Sequence, residues 1–209
     1  MSKISEKIRK DYQKNFEKHG VDPGSLQWHQ RGAAHQRFRQ MWAEIDFAGK
    51  SVLDVGCGFG EMAKFLKKRY EGVAYTGVEI VPEFIKVAKK QHPEYSFEVR
   101  DYFEDPMPQK FDVVMASGVL NSNLENNMSY REKAIRIMFE HTKKVLVFNM
   151  VGTHPQPENE KGSNVWYADS LEVLKYCISL TRRVLLRHHY HPTDFTIFMY
   201  PVGKTKKFK

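Results

Sequence analysis

The sequence predicts an α/β domain: a doubly wound, mostly parallel seven-stranded sheet with an antiparallel C-terminal strand. Three observations carry this. From residue 51 onward, apolar runs of strand length alternate with amphipathic helical segments. A glycine-rich turn, Gly56-Cys57-Gly58-Phe59-Gly60, separates the first of these strands from the helix after it. The last two strand segments are joined only by His191, Pro192 and Thr193. That is too short for a parallel crossover, so they form an antiparallel hairpin.

The elements follow in order. Ile4, Ile8, Tyr12 and Phe16 mark one face of a helix over 3–18 that ends at Gly20. VDPGS at 21–25 is a turn, and a second helix covers about 31–45. Strands are expected at 51–55, 73–80, 95–101, 111–119, 144–151, 182–190 and 194–200. Helices are expected at 61–70, 82–92, 131–142 and 170–180, the last capped by Asp169 or Ser170. The expected layout is a helical extension or lid over 1–48, a catalytic domain over 49–203 and a basic tail over 204–209.

Composition narrows the class. An apolar fraction of 41% and an aromatic fraction of 13% suit a folded, soluble chain. No apolar run nears the ~20 residues of a membrane span, and the charged start MSKISEKIRKDYQKNF lacks a signal peptide's apolar stretch. Two isolated cysteines make no disulfide framework, so the expected location is the cytoplasm. The net charge of +8 resides at the ends: residues 51–180 hold sixteen Lys/Arg against eighteen Asp/Glu. The tail reads as a solvated terminus, with phosphate contact as the lesser reading.

The strand–turn–helix over 52–61 carries the functional signal. Gly56 and Gly58 allow a tight turn and close approach of a ligand to the backbone at the carboxyl edge of the sheet. A dinucleotide site asks for a third Gly where Glu61 stands; a carboxylate there opposes a pyrophosphate but tolerates a positively charged ligand. Glu79, with Ile80 after it, ends the second strand and suits ribose hydroxyls. Asp101 ends the third and suits an adenine amino group, with Tyr102 and Phe103 as an apolar wall.

Together Asp54-Val55-Gly56-Cys57-Gly58-Phe59-Gly60, Glu79, Asp101, the strand FDVVMASGVLN and the closing hairpin resemble the class I S-adenosylmethionine-dependent methyltransferases over about residues 50–200. Trp28 and Arg37-Phe38 are similar to features of small bacterial members. The resemblance implies a Rossmann-like methyltransferase fold and S-adenosylmethionine as cofactor, with S-adenosylhomocysteine as product. It also places Ser117, Gly118 and Val119 at the methionine end of the cofactor. Trp28 and His29 are candidates to close over it.

On the substrate side, Asn121 and Tyr130 after the fourth strand, and His154 after the fifth, are the candidate catalytic residues; His154 lies in a long polar loop read as a lid. Two chemistries are disfavoured. The run Ser117-Gly118-Val119-Leu120-Asn121 lacks the Pro-Pro-aromatic pattern used for exocyclic amines, and neither Cys57 nor Cys177 is placed as a nucleophile toward a pyrimidine ring. His188, His189 and His191 alternate along a strand and so do not converge on a metal, and no metal site is expected. The expected acceptor is a small molecule. RNA or protein methylation and a non-catalytic nucleoside-binding module are the alternatives, and no membrane partner is expected.

Overall fold

The computed structural model describes residues 2–26, 31–159 and 162–202, and of residues 31–34 the backbone alone. The strands are β1 (Ser51–Val55), β2 (Ala74–Glu79), β3 (Ser96–Val99), β4 (Phe111–Ser117), β5 (Thr142–Thr153), β6 (Ala168–Asp169), β7 (Val184–Arg187) and β8 (Asp194–Met199). The helices are α1 (Lys3–His19), α2 (Arg31–Trp42), α3 (Glu61–Lys67), α4 (Pro82–Gln91), α5 (Asn127–Glu140) and α6 (Ser170–Leu180). Trp28, His29 and the tail over 204–209 lie outside the described residues.

The sheet order is β3-β2-β1-β4-β5-β8-β7, with β6 paired to β5. Pairings are parallel except β5–β8 and β7–β8, so β8 runs against every neighbour. This is the expected seven-stranded arrangement, with the two-residue strand β6 added. The chain moves outward from β1 to β3 and then restarts at β4 on the other side of β1, which leaves a crevice at the carboxyl ends of β1 and β4.

The central strands are buried on both faces, as parallel sheets require. Leu53, Val55, Val114, Ala116, Leu146 and Phe148 pack under α5 and α6. Val52, Val113, Met115, Val145 and Val147 pack under α2, α3 and α4. The period-two alternation within each strand assigns the residues to the two layers. A third cluster holds Phe59, Val81 and Phe84, against which α1 sets Tyr12 and Phe16.

Two local expectations are corrected. β7 ends at Arg187 rather than at residue 190, so the connection spans 188–193. The connection is tied to α2 instead: Gln36 Nε2 donates to Tyr190 O, and the Arg187 side chain donates from Nη1 to Gln40 O, 3.2 Å. The histidines therefore sit in a connection rather than alternating along a strand. α5 begins at Asn127, earlier than the apolar pattern starts, because Asn127 Oδ1 accepts from Leu124 N and from Arg131 Nη1, both at 2.9 Å.

Arg131 is fully buried and has no carboxylate partner among the described residues. It donates to Leu120 O, Ser122 O and Asn127 O and lies 4.7 Å from the Trp166 ring. It thereby ties the loop after β4 to the segment 163–166, where Asn123 N donates to Asn164 O and Trp166 N to Asn121 O, both 2.8 Å. Arg131→Ala leaves several buried carbonyls without donors. We expect a loss of about 3 kcal/mol in urea unfolding; a loss below about 1 kcal/mol would show that the loop holds without it.

Candidate functional site

The glycine turn is fixed to the end of β2. Gly56 N and Cys57 N donate to Val78 O at 2.9 and 3.1 Å, and Gly60 N closes on Cys57 O at 2.9 Å. Gly56 has φ +72° and Gly58 φ +54°, both left-handed. A Cβ on Gly56 would stand 2.7 Å from Val119 Cγ2, and one on Gly58 3.0 Å from Leu26 Cδ2. Bare backbone is therefore required on both sides of the turn.

Glu79 faces this turn. Its Oε2 accepts from Gly58 N at 3.2 Å, and its Oε1 accepts from Ile80 N at 2.7 Å and Val81 N at 3.1 Å. A carboxylate offers about four acceptor positions, so three are used and one remains on Oε2. Burial raises the Glu79 carboxyl above its ordinary range, opposed by these three amides.

Asp54 lies beneath the turn and is buried. The Tyr75 hydroxyl donates to its Oδ2 at 2.6 Å. Burial pushes the Asp54 carboxyl up to about 7; the Tyr75 hydrogen bond lowers it and the nearby Glu79 charge raises it. An unfolded aspartate titrates near 3.9. The folded value is higher, so the native state binds the extra proton and this group removes stability as pH climbs from about 4 to about 7. Asp54→Asn keeps the acceptor for Tyr75 and should flatten that limb of the stability–pH curve in urea titrations. An unchanged slope would place the titration elsewhere.

The turn, Glu79 and the loop after β4 line a cavity of about 400 Å³, within the range of small-ligand sites. Asp54, Gly56, Cys57, Gly58, Glu79 and Ile80 form one wall; Ser117, Gly118, Val119 and Asn121 form the next. Gly118 N donates to Asn149 Oδ1 at 3.0 Å, and Asn149 Nδ2 to Ser117 Oγ at 3.1 Å, so β5 fixes the end of β4. Asn121 Oδ1 accepts from Val151 N at 3.1 Å.

Several expected residues stand off this cavity. Gly60, φ +82°, packs toward His92 and Phe97 instead. Asp101 and Tyr102 do not line the space: the Tyr102 ring is buried against Phe103 and His141, and Asp101 Oδ2 is buried without a partner. Tyr130 packs on Phe103, 5.9 Å between centroids, and burial pushes its hydroxyl up to about 12. His154 is 53% exposed at its side chain, and its Nδ1 lies 2.9 Å from Oδ2 of Asp169, the N-cap of α6. It serves the outer end of β5 rather than the cavity.

Other lining residues went unrecognised as site residues in the sequence. Ile8 and Tyr12 of α1 and Leu26 of the 3-10 turn Pro23–Leu26 line the same cavity. The Tyr12 and Phe16 rings pack on Phe84 at 6.2 and 5.7 Å, and Gln13 Nε2 donates to Glu83 Oε1 at 3.1 Å. At the far end stand Arg37, Thr193 and Asp194. Arg37 Nη1 donates to Asp194 Oδ2 at 3.2 Å, a pair 157 residues apart that no local pattern reveals. The three hairpin histidines diverge: His188 lies beside Phe195, His189 beside Tyr190, and His191 Nδ1 accepts from Thr193 N at 3.2 Å. Among the described residues no group of three His, Cys, Asp or Glu side chains is placed to hold a metal ion.

Residues 52–145 match the family model described as a methyltransferase domain. Over these residues the chain carries a methyltransferase domain. A putative methyltransferase, Rv1506c of Mycobacterium tuberculosis, is 24% identical over 158 residues, 71% of this chain and 92% of that one. The phthiotriol/phenolphthiotriol dimycocerosates methyltransferase of Mycobacterium tuberculosis is 36% identical over 75 residues, 34% of this chain and 28% of that one. The chain thus spans little more than a quarter of that relative's length. Among solved structures, a DhpI complex with S-adenosylhomocysteine superposes with a TM-score of 0.68 at 16% identity, covering 93% of this chain and 95% of that one.

The residues present fit this cofactor. The turn would be filled by any Cβ, Glu79 retains an acceptor position at its edge, and the cavity is lined by carboxylates rather than by the third glycine that a pyrophosphate asks for. Among the described residues no helix is long and apolar enough to cross a membrane.

Proposed function

We propose that this methyltransferase acts on a small-molecule acceptor, in the cytoplasm, with residues 1–48 as the cover of the site. One observation carries the reading. Tyr12, Ile8 and Leu26 line the same cavity as the glycine turn and the end of β4, and its volume of about 400 Å³ suits small ligands. The relative named as a phthiotriol/phenolphthiotriol dimycocerosates methyltransferase is compatible with a non-polymeric acceptor.

When bound, S-adenosylmethionine supplies an electrophilic methyl group on a sulfonium. The chain's residues then have three tasks. Glu79 holds ribose hydroxyls, with Gly56 and Gly58 giving the backbone room. Ser117, Gly118 and Val119 flank the amino-acid end, where Asp54 lies below the turn. Asn121, held by Val151 N, shapes the wall against which the acceptor is aligned. Tyr12, Leu26 and Val119 exclude water, and alignment of the two reactants in a dry site is worth on the order of 7–11 kcal/mol.

The test is incubation of the protein with methyl-labelled S-adenosylmethionine and a cell extract, followed by separation by size. Label is expected in the low-mass fraction. Label in RNA or in protein would overturn the acceptor class, and cofactor binding with no transfer to any fraction would make the chain a nucleoside-binding module.

A further inference from the structure

We propose that Arg37 is the acceptor-recognition residue and that the acceptor carries a carboxylate on an apolar body; this rests on the methyltransferase reading of the cavity. Position comes first. Glu79 ends β2 and Asp194 begins β8, and the order β2-β1-β4-β5-β8 separates them by four strand spacings. At about 4.8 Å each, this places them roughly 19 Å apart across the cavity. The glycine turn occupies the Glu79 side. Arg37 and Asp194 therefore form the wall at the other end, beyond the end of β4.

The chemistry of that wall is unbalanced. Arg37 is 9% exposed and Asp194 3%, so both charges are out of water. Their contact uses Nη1 alone, at 3.2 Å. Arg37 Nε is buried without a partner, and Arg37 is one of the residues that line the cavity. A guanidinium has five N–H donors in a rigid fork. An unpaired buried donor is unfavourable, and a tether between α2 and β8 leaves this one unsatisfied where a ligand carboxylate drawn to Arg37 would supply an acceptor. The edge formed by Nε and Nη2 matches a planar carboxylate, which accepts two parallel hydrogen bonds. The Arg37–Asp194 pair is neutral as a unit, so an arriving anion does not meet a net negative charge from this pair.

The surroundings define the rest of the ligand. Phe38, Val151 and Val165 give apolar walls, and Thr193 with His191 gives a polar corner beside Asp194, His191 Nδ1 lying 3.8 Å from Asp194 Oδ1. A short amphipathic acid fits: carboxylate on Arg37, apolar stem toward β5. A neutral amide of the same shape cannot neutralise the guanidinium and places its own N–H₂ against a donor, which is the kind of mismatch that discriminates most strongly.

The experiment uses the full chain saturated with S-adenosylhomocysteine and two probes of equal size, octanoate and octanamide, with binding read by calorimetry. The wild type is expected to bind octanoate at least tenfold more tightly. Arg37→Lys should retain part of that preference. The double variant Arg37→Met/Asp194→Asn removes both charges together, which buried pairs tolerate far better than loss of one partner, and should bind the two probes alike. Equal binding of the probes by the wild type, or an undiminished preference in the double variant, would overturn the assignment. Loading with S-adenosylhomocysteine is measured on the same samples: failure to load refutes the methyltransferase cavity, whereas normal loading with no octanoate preference refutes only the role of Arg37.

Discussion

Gly56→Val is expected to weaken S-adenosylhomocysteine binding by at least about 100-fold, close to 2.7 kcal/mol, with the far-ultraviolet dichroism of the fold retained. Two effects add. Left-handed backbone costs a non-glycine residue about 1–2 kcal/mol, and Gly56 has φ +72°. The new Cβ would also stand 2.7 Å from Val119 Cγ2, so the turn or the loop after β4 must move. That loop is held from behind by Asn149 and Asn121, so the displacement falls on the cavity. Calorimetric titration reads the loss, and an affinity within threefold of wild type would mean that the ligand does not approach this turn.

The second large effect is expected at Glu79. Glu79→Ala leaves Gly58 N, Ile80 N and Val81 N without their acceptor. Bonds to a charged group on this scale are worth about 1.5–3 kcal/mol, so cofactor affinity should fall 10- to 100-fold, and the three amides should exchange with solvent faster. Glu79→Gln is the sharper variant. Its single oxygen serves either Gly58 or the Ile80–Val81 pair, and its N–H₂ then faces a donor, so it should rescue little. Full affinity in Glu79→Gln would show that the carboxylate charge has no part in holding the ligand.

The sequence was most informative where function and fold share a local pattern. The strand SVLDV, the turn GCGFG and the acidic end of β2 are contiguous or nearly so, and spacing alone placed them as neighbours at one sheet edge. The antiparallel last strand followed from a connection too short for a crossover, although that connection is longer than the apolar pattern implied, since Gln36 holds the Tyr190 carbonyl and the Arg187 side chain reaches Gln40 O of α2. What lay hidden was long-range. Arg37 and Asp194 are ordinary charges until α2 and β8 meet. Tyr12 reads as one apolar position among four on a helix face, and only its packing on Phe84 turns that helix into a cover. His154 was singled out because histidine after a strand suggests a base, but the N-cap Asp169 holds it on the outer surface. Tyr102 illustrates the same difficulty in reverse: an aromatic following an acidic strand end reads as a ligand wall, while here its ring completes the core.

The cavity between β1 and β4 as an adenosine-cofactor site is tested most directly by following backbone amide resonances during titration with S-adenosylhomocysteine. The account predicts saturable shifts at Gly56, Gly58, Ile80 and Val119, and none of these with NAD at the same concentrations. Shifts confined to other parts of the chain, or a response to NAD equal to that with S-adenosylhomocysteine, would contradict it.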